Sequence, residues 1–340
     1  MYNRNNRRGL YKKPKARQKP TPKKTVAPYP IEHNGITEYL SRFITWSEVT
    51  GLSAETIKSR NRTIRRFIVW CEERSLNHPR EITKPILERY QKHLFDYRKP
   101  NGEPLSFRTQ HTLLTPIKAF FKWLTRENHI LYNPASELEL PKYRRGIPKN
   151  ILSIAEVNRV LDLPDTTCTY GLRNKAILEL LYSTGIRRME LVNLELYDVD
   201  KERETLLIRQ GKGHKDRLLP LGERALYWVD KYRLESRPLM LNDPYQKHLF
   251  LTDYGEPFLK NRLTDLVKRY LYHARIDKPG SCHLFRHAMA THMLDNGADI
   301  RFIQAMLGHS ELSTTEIYTQ VSVEKLRKVH AATHPAKLEK

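Results

Sequence analysis

From residue 34 to about residue 127, apolar side chains recur at steps of three and four, the period of helices that each bury one face. Ile36, Tyr39, Leu40, Phe43 and Ile44 form the first stripe. Ser53 stands where the N-cap of a second helix belongs, ahead of Ile57, Ile64, Phe67, Ile68 and Cys71. A third helix is predicted over Lys84–Tyr97, stopped by the turn signal Lys99-Pro100-Asn101-Gly102. Leu113, Leu114, Ile117, Phe120, Phe121 and Leu124 mark a fourth. Four amphipathic stripes of this kind predict a compact helical domain over residues 34–131.

The period then breaks. Asn133-Pro134, Pro141, the run Lys142-Tyr143-Arg144-Arg145-Gly146 and Pro148 predict an extended, solvent-exposed linker over residues 132–150. A second domain, residues 151–321, opens with Ser153 and Glu156 in capping-box spacing, followed by Val157, Val160 and Leu161. Another helix runs from about Leu172 to Ser183 and ends at Gly185. Thr205–Ile208 and Arg217–Leu219 read as two short strands joined by the turn Gly211–Asp216. Beyond Asn261 the pattern is helical again. The fold class this implies is mainly α with a small antiparallel β-sheet (α+β), in two domains.

Charge changes the picture. Sixty Lys and Arg stand against 38 Asp and Glu, a formal net charge of +22. So large an excess suits a polyanion, because every cation that neutralises a phosphate releases a condensed counterion. An anionic membrane surface would suit it too, but neither a basic amphipathic helix nor a lipid-attachment motif is present. No apolar run nears the ~18 residues of a membrane span. Cys71, Cys168 and Cys282 are odd in number and widely spaced, which fits a reducing cytoplasm better than a disulfide framework. Residues 1–33 form a basic arm; its first thirty residues hold ten Lys or Arg, five prolines and no acid. Such a segment is expected to be disordered in isolation, serving either as an arm along a DNA backbone or as a solubilising tail. Lys58, Arg60, Arg62, Arg65 and Arg66 on the second helix, with Arg144 and Arg145 in the linker, are candidate DNA contacts; a solvated helix face is the competing reading.

Several side chains carry candidate chemistry, each weak alone. Arg187 lies just past the helix-ending Gly185 and can present its planar fork to a phosphate, although taken alone a surface arginine is the better reading. Lys212, between Gly211 and Gly213 on a hairpin tip, can reach a groove and donate a proton. Lys215 is its rival. His283 and Arg286, three apart, share a helix face. His283 and His287 have the spacing of metal ligands, but no Cys or carboxylate joins them in a ligand pattern, so no metal is expected, and no cofactor is expected either. Leu307-Gly308-His309 and Thr314-Thr315-Glu316-Ile317-Tyr318 complete the set.

Together, Thr184-Gly185-Ile186-Arg187, Gly211-Lys212-Gly213, His283-x-x-Arg286, Leu307-Gly308-His309 and Tyr318 stand in the order and spacing of the tyrosine recombinases, or phage integrases. The chain resembles that family, its Xer branch most, from about residue 34 to about 336. The resemblance implies two domains forming a C-shaped clamp on double-stranded DNA that carries an inverted-repeat core site, with a homo- or hetero-tetramer assembled there. It implies Tyr318 as nucleophile, Arg187, Arg286 and His309 at the phosphate, Lys212 as general acid and His283 as proton acceptor. His287 and His292 match common family positions and are expected to pack or hydrogen-bond. The tail, residues 322–340, would dock on a neighbouring subunit through Leu326 and Val329, a helix folded back on its own domain being the alternative. The location implied is the cytoplasm, at the nucleoid. Because the basic arm is longer than in simple dimer-resolving Xer proteins, integration and excision of a mobile element is the favoured role. Xer-type chromosome-dimer resolution is the alternative, with a type IB topoisomerase and a catalytically silent DNA-binding protein as the rival classes.

Overall fold

In the computed structural model, residues 35–143, 150–209 and 216–308 are described. They form two compact units, one on each side of the segment around residue 145.

The first unit is four helices, α1 (Gly35–Val49), α2 (Ala54–Glu72), α3 (Lys84–Asp96) and α4 (Phe107–Arg126). Ser53 caps α2 by accepting a hydrogen bond from the Thr56 amide, and Ser106 caps α4 through the Thr109 amide. The stripes meet in an aromatic core in which Phe43, Phe67, Tyr90, Phe120 and Phe121 are wholly buried. Each such side chain contributes about 1.5–3 kcal/mol by leaving water. The expected exposed linker differs from what is observed over its first half. Ala135 and Leu138 are buried in this same core, and Leu140 packs against it. The Lys118 ammonium donates to the Ser136 and Leu138 carbonyls at 3.3 and 2.7 Å, and the Gln91 amide to the Glu139 carbonyl at 3.0 Å. Three apolar side chains, with donors waiting for their backbone, outweigh the proline signal.

The second unit is built around α6 (Thr169–Thr184), whose central residues are buried on every side. Its polar members survive there because each is paired. The Arg173 guanidinium donates to the Leu251 carbonyl and Asp253, Lys175 to the Leu161 carbonyl, and Arg224 to Glu179. Ahead of α6 lies α5 (Ile154–Leu161), opened by the Ser153–Glu156 capping box. After it come α7 (Arg188–Val192) and a three-stranded antiparallel sheet of order β1-β2-β3: β1 (Val199–Asp200), β2 (Thr205–Ile208) and β3 (Arg217–Pro220). The β2–β3 register ends at the pair Ile208–Arg217. The chain continues through α8 (Glu223–Lys231), one π-helical turn, α9 (Arg237–Met240), α10 (Lys260–His273), α11 (Cys282–Asp295) and α12 (Ile300–Leu307). The mainly helical fold with a small antiparallel sheet is therefore the one observed. No described helix is long and apolar enough to cross a membrane.

Candidate active site

The second unit gathers Arg187, Arg286 and the carboxyl end of α12 at one place. α6 terminates at Gly185 in the left-handed region (φ 59°), and a Cβ there would lie 2.2 Å from the Met289 Cε. Only glycine fits both demands. The sharp exit turns the chain so that Arg187 becomes the N-cap of α7. From α11, Arg286 reaches back across this turn and donates to the Gly185 carbonyl at 2.6 Å and to the Leu307 carbonyl at 2.7 Å. Arg187 donates from Nη2 to the Gly308 carbonyl at 3.0 Å. A third arginine, Arg217, donates from Nε to the Met306 carbonyl at 3.2 Å. The last carbonyls of a helix lack intrahelical partners and carry its negative dipole end, so cations are the natural partners there. α12 ends at Gly308, again left-handed (φ 60°), immediately before His309.

Glu190 ties these cations together. Its Oε1 accepts from Arg187 Nη1 at 2.8 Å and Arg217 Nη1 at 3.0 Å. Its Oε2 accepts from the Arg187 amide at 2.8 Å and Arg217 Nη2 at 2.7 Å. Burial pushes this carboxyl up, but the hydrogen bonds and charge of Arg217 and Arg187 outweigh it and hold the pKa at about 2. Neither Glu190 nor Arg217 belongs to the five motifs. The signal for Glu190 is its position three residues past a helix start, the spacing that also marks Glu156. Arg217 gives no sign of its role in sequence, because its partners are 27 and 89 residues away.

His283 shares α11 with Arg286 and its side chain meets solvent. Partial burial of the ring and the nearby Arg188 charge lower its pKa, so it is neutral at physiological pH and able to accept a proton. His287, its ring centroid 6.0 Å from that of His283, is pushed down to about 4 by burial, His283 and Arg286. His292 Nδ1 lies 2.9 Å from the Tyr182 hydroxyl, joining α11 to α6. Among the described residues no group of three His, Cys, Asp or Glu is arranged to hold a metal ion. Lys212, Lys215, His309, Tyr318, Leu326 and Val329 lie outside the described residues, as do the arm, Arg144 and Arg145.

On α2, Lys58 and Arg62 are exposed while Arg60, Arg65 and Arg66 are half-buried. The Arg60 guanidinium sits over the Phe43 ring at 5.6 Å and that of Arg66 over Tyr97 at 4.7 Å, and Arg65 donates to Asn61 at 3.0 Å. Part of this basic face is thus packed as well as charged.

Residues 150–325 match the profile of the phage integrase family, and residues 39–130 that of the phage integrase N-terminal SAM-like domain. The chain is 55% identical over 322 residues to tyrosine recombinase XerC 2 of Ralstonia nicotianae, covering 95% of this chain and 92% of that protein. It is 36% identical over 305 residues to tyrosine recombinase XerD of Pseudomonas putida, covering 90% and 98%. Among solved structures, it matches the XerH site-specific recombinase bound to a palindromic difH substrate with a TM-score of 0.67 at 22% identity, covering 88% of this chain and 84% of that one. The Tn1549 transposon integrase in complex with a circular intermediate DNA gives 0.65 at 18% identity, covering 87% and 100%.

Proposed function

The chain belongs to the phage integrase family, the tyrosine recombinases that cut and rejoin DNA strands, and we propose that within it this protein is an Xer-type recombinase that resolves chromosome dimers. The observation that carries the catalytic reading is the convergence of Arg187 and Arg286 on the end of α12, the helix that leads directly into His309 and, nine residues on, Tyr318. The Tyr318 hydroxyl attacks the scissile phosphorus and the bond to the 5′-oxygen breaks, leaving a 3′-phosphotyrosine. The pentacoordinate transition state carries added negative charge on its non-bridging oxygens, which Arg187, Arg286 and His309 are suited to receive. Tyrosine, with a reference pKa near ~10, needs a proton acceptor, and neutral His283 is the candidate. An alkoxide is a poor leaving group, so Lys212 protonates the departing 5′-oxygen. The 5′-hydroxyl of a partner strand reverses the sequence and creates a four-way junction. Phosphodiester energy is conserved in the tyrosyl linkage, so the reaction balances without ATP.

The Xer role is favoured over a mobile element by the Xer relatives. The basic arm is not peculiar to this chain, because an alignment with tyrosine recombinase XerC 2 that covers 95% of it must reach into the first thirty residues. The likeness to a transposon integrase is one of fold. The working assembly in this reading is a tetramer on two inverted-repeat sites, in the cytoplasm with the nucleoid. Loss of the gene in its host should leave unresolved chromosome dimers and filamentous cells. Normal segregation, together with an element that no longer excises, would return the mobile-element role.

A further inference from the structure

Arg217 opens β3, and its guanidinium spans three elements. Nη1 and Nη2 form a fork onto both oxygens of Glu190 on α7, and Nε holds the Met306 carbonyl on α12. The approach is close: a Cβ on Gly308 would come within 3.1 Å of Arg217 Nε. Both partners are largely withdrawn from water, with side chains 12% and 6% exposed, which strengthens a charged fork and keeps its geometry fixed.

Glu190 is shared unequally. Arg217 takes it with two nitrogens, whereas the Arg187 side chain reaches it with Nη1 alone. Three arginines therefore meet at the end of α12, and Glu190 is held by two of them, Arg187 and Arg217. If Arg217 were absent, Glu190 would be left with two empty acceptor sites. The nearest guanidinium able to fill them is that of Arg187, which would close into a bidentate pair and lose charge available to a phosphate. The end of α12 would lose one of its three arginine anchors at the same time.

We propose that Arg217 is a positioning residue for phosphoryl transfer: by occupying Glu190 it keeps Arg187 directed at the scissile phosphate, and it holds the end of α12 from which the nucleophile segment departs. This rests on the recombinase reading above. It assigns Arg217 no contact with DNA.

The test is single-turnover cleavage at saturating enzyme, on DNA bearing the cognate site with either a natural scissile phosphate or one whose non-bridging oxygen is replaced by methyl. Arg217→Gln should lower the cleavage rate about ten- to a hundredfold, the loss of one or two charged hydrogen bonds, while Kd for DNA stays unchanged. Arg217→Lys, which keeps the charge but not the fork, should fall between. The Arg217→Gln/Glu190→Gln double variant should be no slower than the worse single variant, because both act through one network. The methylphosphonate should shrink the Arg217→Gln deficit, since the transition state then asks less of Arg187. A wild-type rate in Arg217→Gln, additive effects in the double variant, or a deficit unmoved by the methyl group would overturn the proposal while wild-type cleavage upheld the recombinase reading. No adduct from the wild type would overturn both.

Discussion

At Glu190 burial pushes the carboxyl towards its neutral form, yet it stays charged because four donors converge on it, and that local balance sets a pH dependence. Its folded pKa of about 2 lies below the ordinary 4.5, so its stabilisation is complete above 4.5 and is lost as pH falls from 4.5 through 2. His287 acts in an adjoining window. Its folded pKa of about 4 lies below 6.5, so between these values the unfolded chain holds more protons and stability falls as the solution is acidified. Each window is on the order of 3 kcal/mol wide, at about 1.4 kcal/mol per pKa unit. Thermal melts should therefore show a falling Tm from pH 6.5 down to 4, and His287→Gln should flatten that limb; an unchanged slope would leave His287 with no part in it. The general acid is tested equally locally. Lys212→Ala should slow cleavage strongly and recover on DNA whose leaving 5′-oxygen is replaced by sulfur, which departs without a proton. Absence of recovery would shift the role to Lys215.

Helices with a full apolar stripe are legible in sequence, and their starts and stops at Ser53, Ser153–Glu156 and Gly185 are legible for the same reason: caps and left-handed exits are local chemistry. The segment 133–140 departs from its sequence reading because Pro and charge act locally, whereas the burial of Ala135 and Leu138 depends on α3 and α4. Helices α8 and α9 give little signal, as α8 buries only Ala225, Leu226 and Val229 and α9 spans four residues. Of the site, Arg187, His283 and Arg286 are legible as motif members. Glu190 shows only its capping spacing and Arg217 shows nothing, since a hydrogen-bond network across α7, β3 and α12 has no sequence period. The basic arm is the element whose role charge alone predicts. Deleting residues 1–30 should weaken DNA binding and lower the slope of log K against log salt, by about 0.9 for each phosphate that the arm neutralises. An unchanged slope would make the arm a solubilising tail.

The whole chain joins two cores of different character. One is a four-helix unit with an aromatic interior and a basic second helix. The other is a larger unit whose buried α6 fixes the turn at Gly185 and so the arginine cluster. A net charge of +22 suits association with a polyanion, and in the proposed reading the cluster receives one phosphate within it. The covalent bond between Tyr318 and DNA is the claim on which everything else depends. Wild-type and Tyr318→Phe protein should each be incubated with fragmented host DNA in EDTA and quenched with detergent, and the DNA ends in covalent adducts sequenced. Adducts should form with the wild type only, clustered at one inverted-repeat site. Adducts formed equally by Tyr318→Phe would contradict the assignment of Tyr318 as nucleophile.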